Sequence, residues 1–164
     1  IADKFLEKMV SLASSIKIGD PLLEETQMGP LATQDQMKLI EGEVSQAKNE
    51  GAKILHGGKK PTNLNDGWFY EPTIVDCNDQ KMKIVDTELF GPVLSVLRFK
   101  TEEEAIKLAN DTKYGLAAGV FTKNGARSLR VTKALRAGIV WVNTYRVVSP
   151  IAPFGGYKDS VYGR

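Results

Sequence analysis

The chain carries a single thiol, Cys77, and a single imidazole, His56, so nucleophilic or metal-dependent chemistry has few places to sit. A catalytic thiol needs a lowered pKa or an adjacent base. Cys77 is flanked by Asp76, Asn78 and Asp79, and nearby carboxylates raise a thiol pKa, so the expectation is an inert cysteine at a strand end. His56 precedes Gly57-Gly58 with no second histidine and no cysteine pair to share a metal, and neither catalysis nor coordination is expected of it. Glu88-Leu89-Phe90-Gly91-Pro92-Val93 is more informative. A carboxylate at a glycine–proline turn can accept two hydrogen bonds from a diol such as a ribose, and the Phe90 ring could pack on a flat heterocycle. The same residues read equally well as a solvated glutamate beside a core phenylalanine. Asn143 follows an apolar strand, at the carboxyl end where α/β proteins place their sites. Pro153–Lys158 holds Gly155-Gly156 between aromatics. With no Gly-Lys-Ser/Thr after it and no helix to receive an anion, it is not a phosphate loop. It reads as a plain turn or as a mobile wall of a small-molecule pocket.

The elements that must position these groups follow from periodicity and capping. Residues 1–17 carry Phe5, Leu6, Met9, Val10, Leu12, Ala13 and Ile16 at helical spacing. A helix running from the first residue without a cap is the pattern expected of a piece of a longer protein. Gly19 and Pro21 stop that helix. Thr33 with Gln36 three positions on predicts a capping box for a helix over 33–50. A short strand is expected over 52–56, then a turn-rich stretch ending Asn65-Asp66-Gly67, then an aromatic and β-branched strand over 68–75. There Pro72 argues for an edge or irregular position. Strands over 93–99, 116–122 and 138–143 alternate with helices over 101–111 and 125–135, which predicts a parallel α/β sheet with right-handed crossovers.

Composition narrows the class. At 164 residues, with 42% hydrophobic and 26% charged residues, the chain is an ordinary globular domain able to bury a core. A net charge of +2 gives no reason to expect nucleic acid or a membrane surface as partner. No apolar run reaches the roughly 18 residues of a membrane helix. Neither an internal disulfide nor a Cys/His zinc cage can be built from one cysteine and one histidine. The expected compartment is the reducing cytoplasm.

Taken together, six motifs in order resemble the C-terminal part of the catalytic domain of NAD(P)-dependent aldehyde dehydrogenases. They are Gly19-Asp20-Pro21 with Thr26 and Met28-Gly29-Pro30-Leu31; Glu71-Pro72-Thr73; Glu88 through Val93; Ala109-Asn110 with Tyr114-Gly115-Leu116; Gly138 through Asn143; and Pro153 through Lys158. The resemblance runs from end to end. It implies a three-layer αβα fold with a mostly parallel sheet, residues 1–164 forming one partial domain. The cofactor domain and the strand used in oligomerisation would lie outside it.

The resemblance further implies oxidation of an aldehyde to a carboxylic acid with NAD or NADP, through a cysteine thiohemiacetal and a thioester. The nucleophilic cysteine, general-base glutamate and oxyanion asparagine of the family would precede residue 1, so no catalytic residue is assigned here and the chain alone is expected to be inactive. Glu88 looks like the family's ribose-binding glutamate. Phe90 and Leu116 look like neighbours of the nicotinamide, and Phe154, Val148 and Arg146 like substrate-side residues. The partner expected is a small-molecule aldehyde, and the parent is expected to be a homo-oligomer, dimer or tetramer. An acylating, coenzyme A-dependent relative and a non-catalytic structural protein on the same fold are the alternatives. Four positions depart from the family pattern, and because Arg146 and Val148 are two of them the aldehyde is not named. Thr87 replaces a frequent second glutamate, and Val161 replaces a glycine in Ser160-Val161-Tyr162-Gly163-Arg164. Were Val161 at positive φ, it would be strained by about 1–2 kcal/mol.

Overall fold

The computed structural model describes residues 1–64 and 66–163. Asn65 of the expected turn and Arg164 of the final motif lie outside the described residues. The chain divides into two compact units, residues 1–98 and 99–164.

In the first unit the elements are α1 (Ala2–Ser15), α2 (Gln34–Asn49), β1 (Lys53–His56), β2 (Thr73–Asp76), α3 (Lys83–Asp86) and β3 (Val93–Val96). The strands form one sheet in the order β1-β2-β3. β1 runs antiparallel to β2, and β2 runs parallel to β3 with Thr73 opposite Val93 and Asp76 opposite Val96. Alternation along β2 feeds two cores. Val75 packs with Met37, Ile40, Val44 and Ala47 of α2, whereas Ile74 packs with Leu6 and Ala13 of α1. The sheet is thus a middle layer between two helices. Arg98 ties the ends together, donating to Asp3 at 2.7 Å and to Asp76 at 3.0 Å.

Thr33 caps α2 as expected, its Oγ1 accepting from Gln36 N at 3.2 Å. The strand expected over 68–75 is confined to Thr73–Asp76. Phe69 and Tyr70 are buried as loop residues. Burial, with Glu41 and Glu71 adding to it, pushes the Tyr70 hydroxyl up to about 12. Pro72 does not mark an edge: β2 is the central strand. Ladder bonding starts one residue after the proline, where Thr73 N donates to Pro92 O at 2.7 Å.

The second unit contains α4 (Glu102–Asn110), β4 (Ala117–Val120), α5 (Gly125–Ala134), β5 (Ile139–Val142) and a 3-10 turn at Lys158–Ser160. Thr101 and Asn124 cap the helices, accepting from Glu104 N and Arg127 N. β4 and β5 are parallel, Ala117 opposite Ile139, joined by α5 as a crossover. Arg130 and Arg127 bond the Glu102 carboxyl and hold it below the usual carboxylate range. The α/β class and the parallel crossover are as expected, but the strands over 93–143 do not form one sheet. Among the described residues β3 pairs with β2, and β4 with β5. Alternation of strands with helices predicts parallel strands without naming their neighbours.

Candidate functional site

The turn from Glu88 to Pro92 is built by alternation. Leu89 points inward and is buried, while Glu88 and Phe90 point outward and are exposed. Gly91 is required by sterics: a Cβ there would run into Ile40 Cδ1, and Ile40 is completely buried. The main chain is pinned on both sides. Leu89 O accepts from Gln36 Nε2, Val93 N donates to Gly91 O at 2.8 Å, and Pro92 O accepts from Thr73 N. Phe90 sits at φ 48°, a left-handed conformation in which a bulky residue is a genuine outlier. The residue is 78% exposed. Strain of this kind persists only where surroundings over-determine it, and it clusters at ligand-binding segments. Among the described residues none bonds the Glu88 carboxylate. An acceptor with free lone pairs beside an exposed ring suits a ribose diol attached to a flat heterocycle.

The other expected site residues lie in the second unit. Leu116 immediately precedes β4 and is exposed. After β5 the chain turns through Asn143, φ 53°, and Arg146, φ 62°. Trp141 Nε1 donates to Val147 O at 2.7 Å, and the Trp141 and Tyr145 rings meet edge-on at 5.0 Å. The Arg146 guanidinium stands over the Tyr145 ring, 5.7 Å from its centre. Val148 and Phe154 are exposed beyond it. Gly155 is buried, and its carbonyl lies where a Cβ of Gly138 would be. Tyr157 N donates to Gly115 O at 2.8 Å, and Asp159 N to Lys113 O at 3.0 Å. Lys158, at φ 54°, donates to Asn110 O and Thr112 O. Gly138 therefore allows the close approach of the Gly155 carbonyl, a Cβ at Gly156 would be tight against Leu116 Cα and Gly115 O, and the segment after them is tied down.

Several sequence candidates resolve into structural roles. Asn143 is no free polar group, because its Oδ1 accepts from Thr122 N at 2.8 Å and its Nδ2 donates to Thr122 O at 2.9 Å, extending the β4–β5 pairing by one side chain. Cys77 is 5% exposed, its Sγ facing Val75 O at 3.7 Å. Burial pushes its thiol up, away from the thiolate. His56 ends β1 and is half-buried. Among the described residues no group of three or more His, Cys, Asp or Glu side chains gathers as a metal site. Val161 adopts φ −164°, extended backbone open to any residue, so the departure from glycine there carries no strain. Sequence reasoning missed Gln36 as a contact of the turn. Its signal was present in the capping-box pattern but pointed to Thr33, not to a loop 53 residues away.

The model of the aldehyde dehydrogenase family matches residues 1–164. A (Z)-2-((N-methylformamido)methylene)-5-hydroxybutyrolactone dehydrogenase of Acinetobacter baylyi is 50% identical over the whole chain, which covers 33% of that protein. The peroxisomal aminoaldehyde dehydrogenase 1 of Pisum sativum is 48% identical over the whole chain, again covering 33% of its length. Among solved structures, betaine aldehyde dehydrogenase from Staphylococcus aureus in complex with NAD+ matches 95% of the chain with a TM-score of 0.90 at 43% identity; the match spans 31% of that protein. The chain spans about a third of the length of the relatives it matches. With the family model matched from residue 1 to residue 164, the chain belongs to the aldehyde dehydrogenase family.

Proposed function

We propose that the chain is one portion of an NAD(P)-dependent aldehyde dehydrogenase that oxidises a small-molecule aldehyde to its carboxylic acid. In this reading its own residues hold cofactor and substrate while the nucleophile lies elsewhere in the parent. Both units belong to a single domain, toward its carboxyl end, a placement resting on the order of the six motifs. The observation that carries the reading is the Glu88–Phe90 turn: an outward carboxylate that no described residue bonds, beside an exposed aromatic held at positive φ. Glu88 accepts the two hydroxyls of the nicotinamide ribose, and Phe90 borders the ring; the assignment of Leu116 as a cofactor contact rests on the motif resemblance alone. Bound there, NAD(P)+ supplies the hydride acceptor. Phe154, Val148 and Arg146 face the aldehyde side, with Arg146 oriented by its stacking on Tyr145. The buried Cys77 takes no part. The parent is a homo-oligomer of a reducing compartment, the cytoplasm. Among the described residues no helix is long and apolar enough to cross a membrane.

The test is Glu88→Gln in the full-length protein, which keeps shape and removes charge. Hydrogen bonds to charged groups are worth about 1.5–3 kcal/mol. Glu88 is exposed, so the lower end applies and hydride transfer slows roughly tenfold. A deuterated aldehyde should then show a larger isotope effect, with thioester hydrolysis spared. Unaltered hydride transfer with accumulating acyl-enzyme would instead make Glu88 the deacylation base and end this assignment.

A further inference from the structure

We propose that one face of α2, formed by Gln36, Ile40 and Glu43, is a positioning surface that holds the Glu88–Phe90 turn in its ligand-presenting shape, with Gln36 as its decisive member. The three residues fall at i, i+4 and i+7, which places them on one helical stripe. Each meets a different part of the segment 83–91. Glu43, 4% exposed, accepts from Lys83 Nζ at the start of α3, the turn that delivers the chain to Glu88. Ile40 fills the space that the missing Gly91 side chain leaves. Gln36 Nε2 donates to Leu89 O.

The last contact has a specific consequence. Leu89 O lies in the same rigid peptide plane as Phe90 N, so whatever holds that oxygen also holds one side of the Phe90 φ rotation. Phe90 is at φ 48°, and a bulky residue relaxes from there to negative φ unless prevented. Relaxation would turn the Leu89–Phe90 plane, swing the ring and drag Glu88 with it. Ile40 and the Gly91 contact resist displacement of the turn as a body. Gln36 alone among the three grips the plane that would rotate. It touches no ligand in this account and acts through Glu88 and Phe90, so it is a positioning residue.

The cofactor part of this inference rests on the reading of Glu88 and Phe90 given above, and the experiment separates the two. In the full-length protein, Gln36→Met keeps length and helix propensity but removes the donor. Gln36→Glu, which offers only acceptors to the carbonyl, serves as a second variant should the first fold poorly. Amide hydrogen exchange across 88–91 should quicken in either variant, and the dissociation constant of the nicotinamide dinucleotide that supports turnover should rise about 5- to 10-fold, the worth of one neutral side chain–backbone bond. The KM for aldehyde should stay unchanged. In a Glu88→Gln background the further loss should shrink to under about twofold, because both substitutions act on one contact. Unchanged exchange at 88–91, or losses that add in full, would overturn the positioning role. Faster exchange together with a Glu88→Gln variant that binds cofactor normally would uphold the hold on the turn and sink the cofactor reading alone.

Discussion

Replacing Gly91 by alanine asks whether the turn is specified by packing. A Cβ at Gly91 would collide with Ile40 Cδ1 and lie 3.2 Å from Ile40 Cγ1 and 3.6 Å from Leu31 Cδ2. Ile40 has no exposed surface and is enclosed by Met37, Val44 and Leu89 in the same cluster, so its terminal methyl has no free volume to enter. Overpacking of this sort costs about 1–3 kcal/mol. Ile40→Val removes the colliding methyl and by itself costs about 0.5–1.5 kcal/mol through the small void it leaves. In the double variant the new methyl fills that void, apart from the residual tightness at Cγ1. The double variant should therefore denature at higher urea than Gly91→Ala alone, with a favourable coupling on the order of 1 kcal/mol. The comparison is best made on the full-length protein by the rank order of midpoints. Gly91→Ala within about 0.5 kcal/mol of wild type, or a double variant no more stable than Gly91→Ala, would refute the argument that Ile40 is the obstacle.

The remaining predictions follow from the thiol and the ion pairs. Cys77 should react with a thiol reagent only after unfolding, since burial raises its pKa and keeps the sulfur from solvent. The isolated chain should reduce no cofactor with any aldehyde, and turnover that disappears in Cys77→Ser would show the nucleophile to be misassigned. Arg98 holds the Asp3 carboxyl below its ordinary value, and Arg130 with Arg127 does the same for Glu102. Lowered carboxylates favour the folded state above the unfolded value near 4 and lose that contribution as pH falls through the depressed values. Stability should accordingly decline below about pH 4, and Arg98→Met should flatten that acid limb in urea titrations; an unchanged slope would remove the Asp3–Arg98–Asp76 tie from the account.

Helices were readable where caps and apolar stripes coincide. Thr33 and Thr101 accept the backbone N–H groups that their positions predict, and α1, α2, α4 and α5 fall within a few residues of expectation. Strand limits were less readable. The apolar run Val93–Phe99 ends as a strand at Val96, and Phe69 and Tyr70 have strand-like side chains yet serve the core from a loop. Of the candidate site, the motif at Glu88 was visible as a carboxylate beside a glycine–proline turn. The positive φ of Phe90, the Gln36 contact and the engagement of Asn143 with Thr122 were not visible. Each depends on a residue distant in sequence, and no local pattern encodes it.

Burial is a property of neighbours, and this decides how the exposed apolar residues should be read. Ile74 and Val75 of β2 are buried because strands lie on both sides and helices on both faces. Ile139, Val140 and Trp141 of β5 are similar residues in a similar strand but are only half-buried, since among the described residues β5 has one hydrogen-bonded neighbour. Likewise α2 buries five residues and α5 none. Exposure of an aromatic such as Phe121, 72%, is therefore no evidence of a site by itself. Phe90 differs because the chain around it is held in a conformation that an aromatic residue disfavours, by contacts from Gln36, Ile40 and Thr73 that would be superfluous for a residue merely left uncovered. The strain, with the Gln36 contact that holds its peptide plane and the Ile40 and Thr73 contacts that fix the turn as a body, separates a presented side chain from an exposed one.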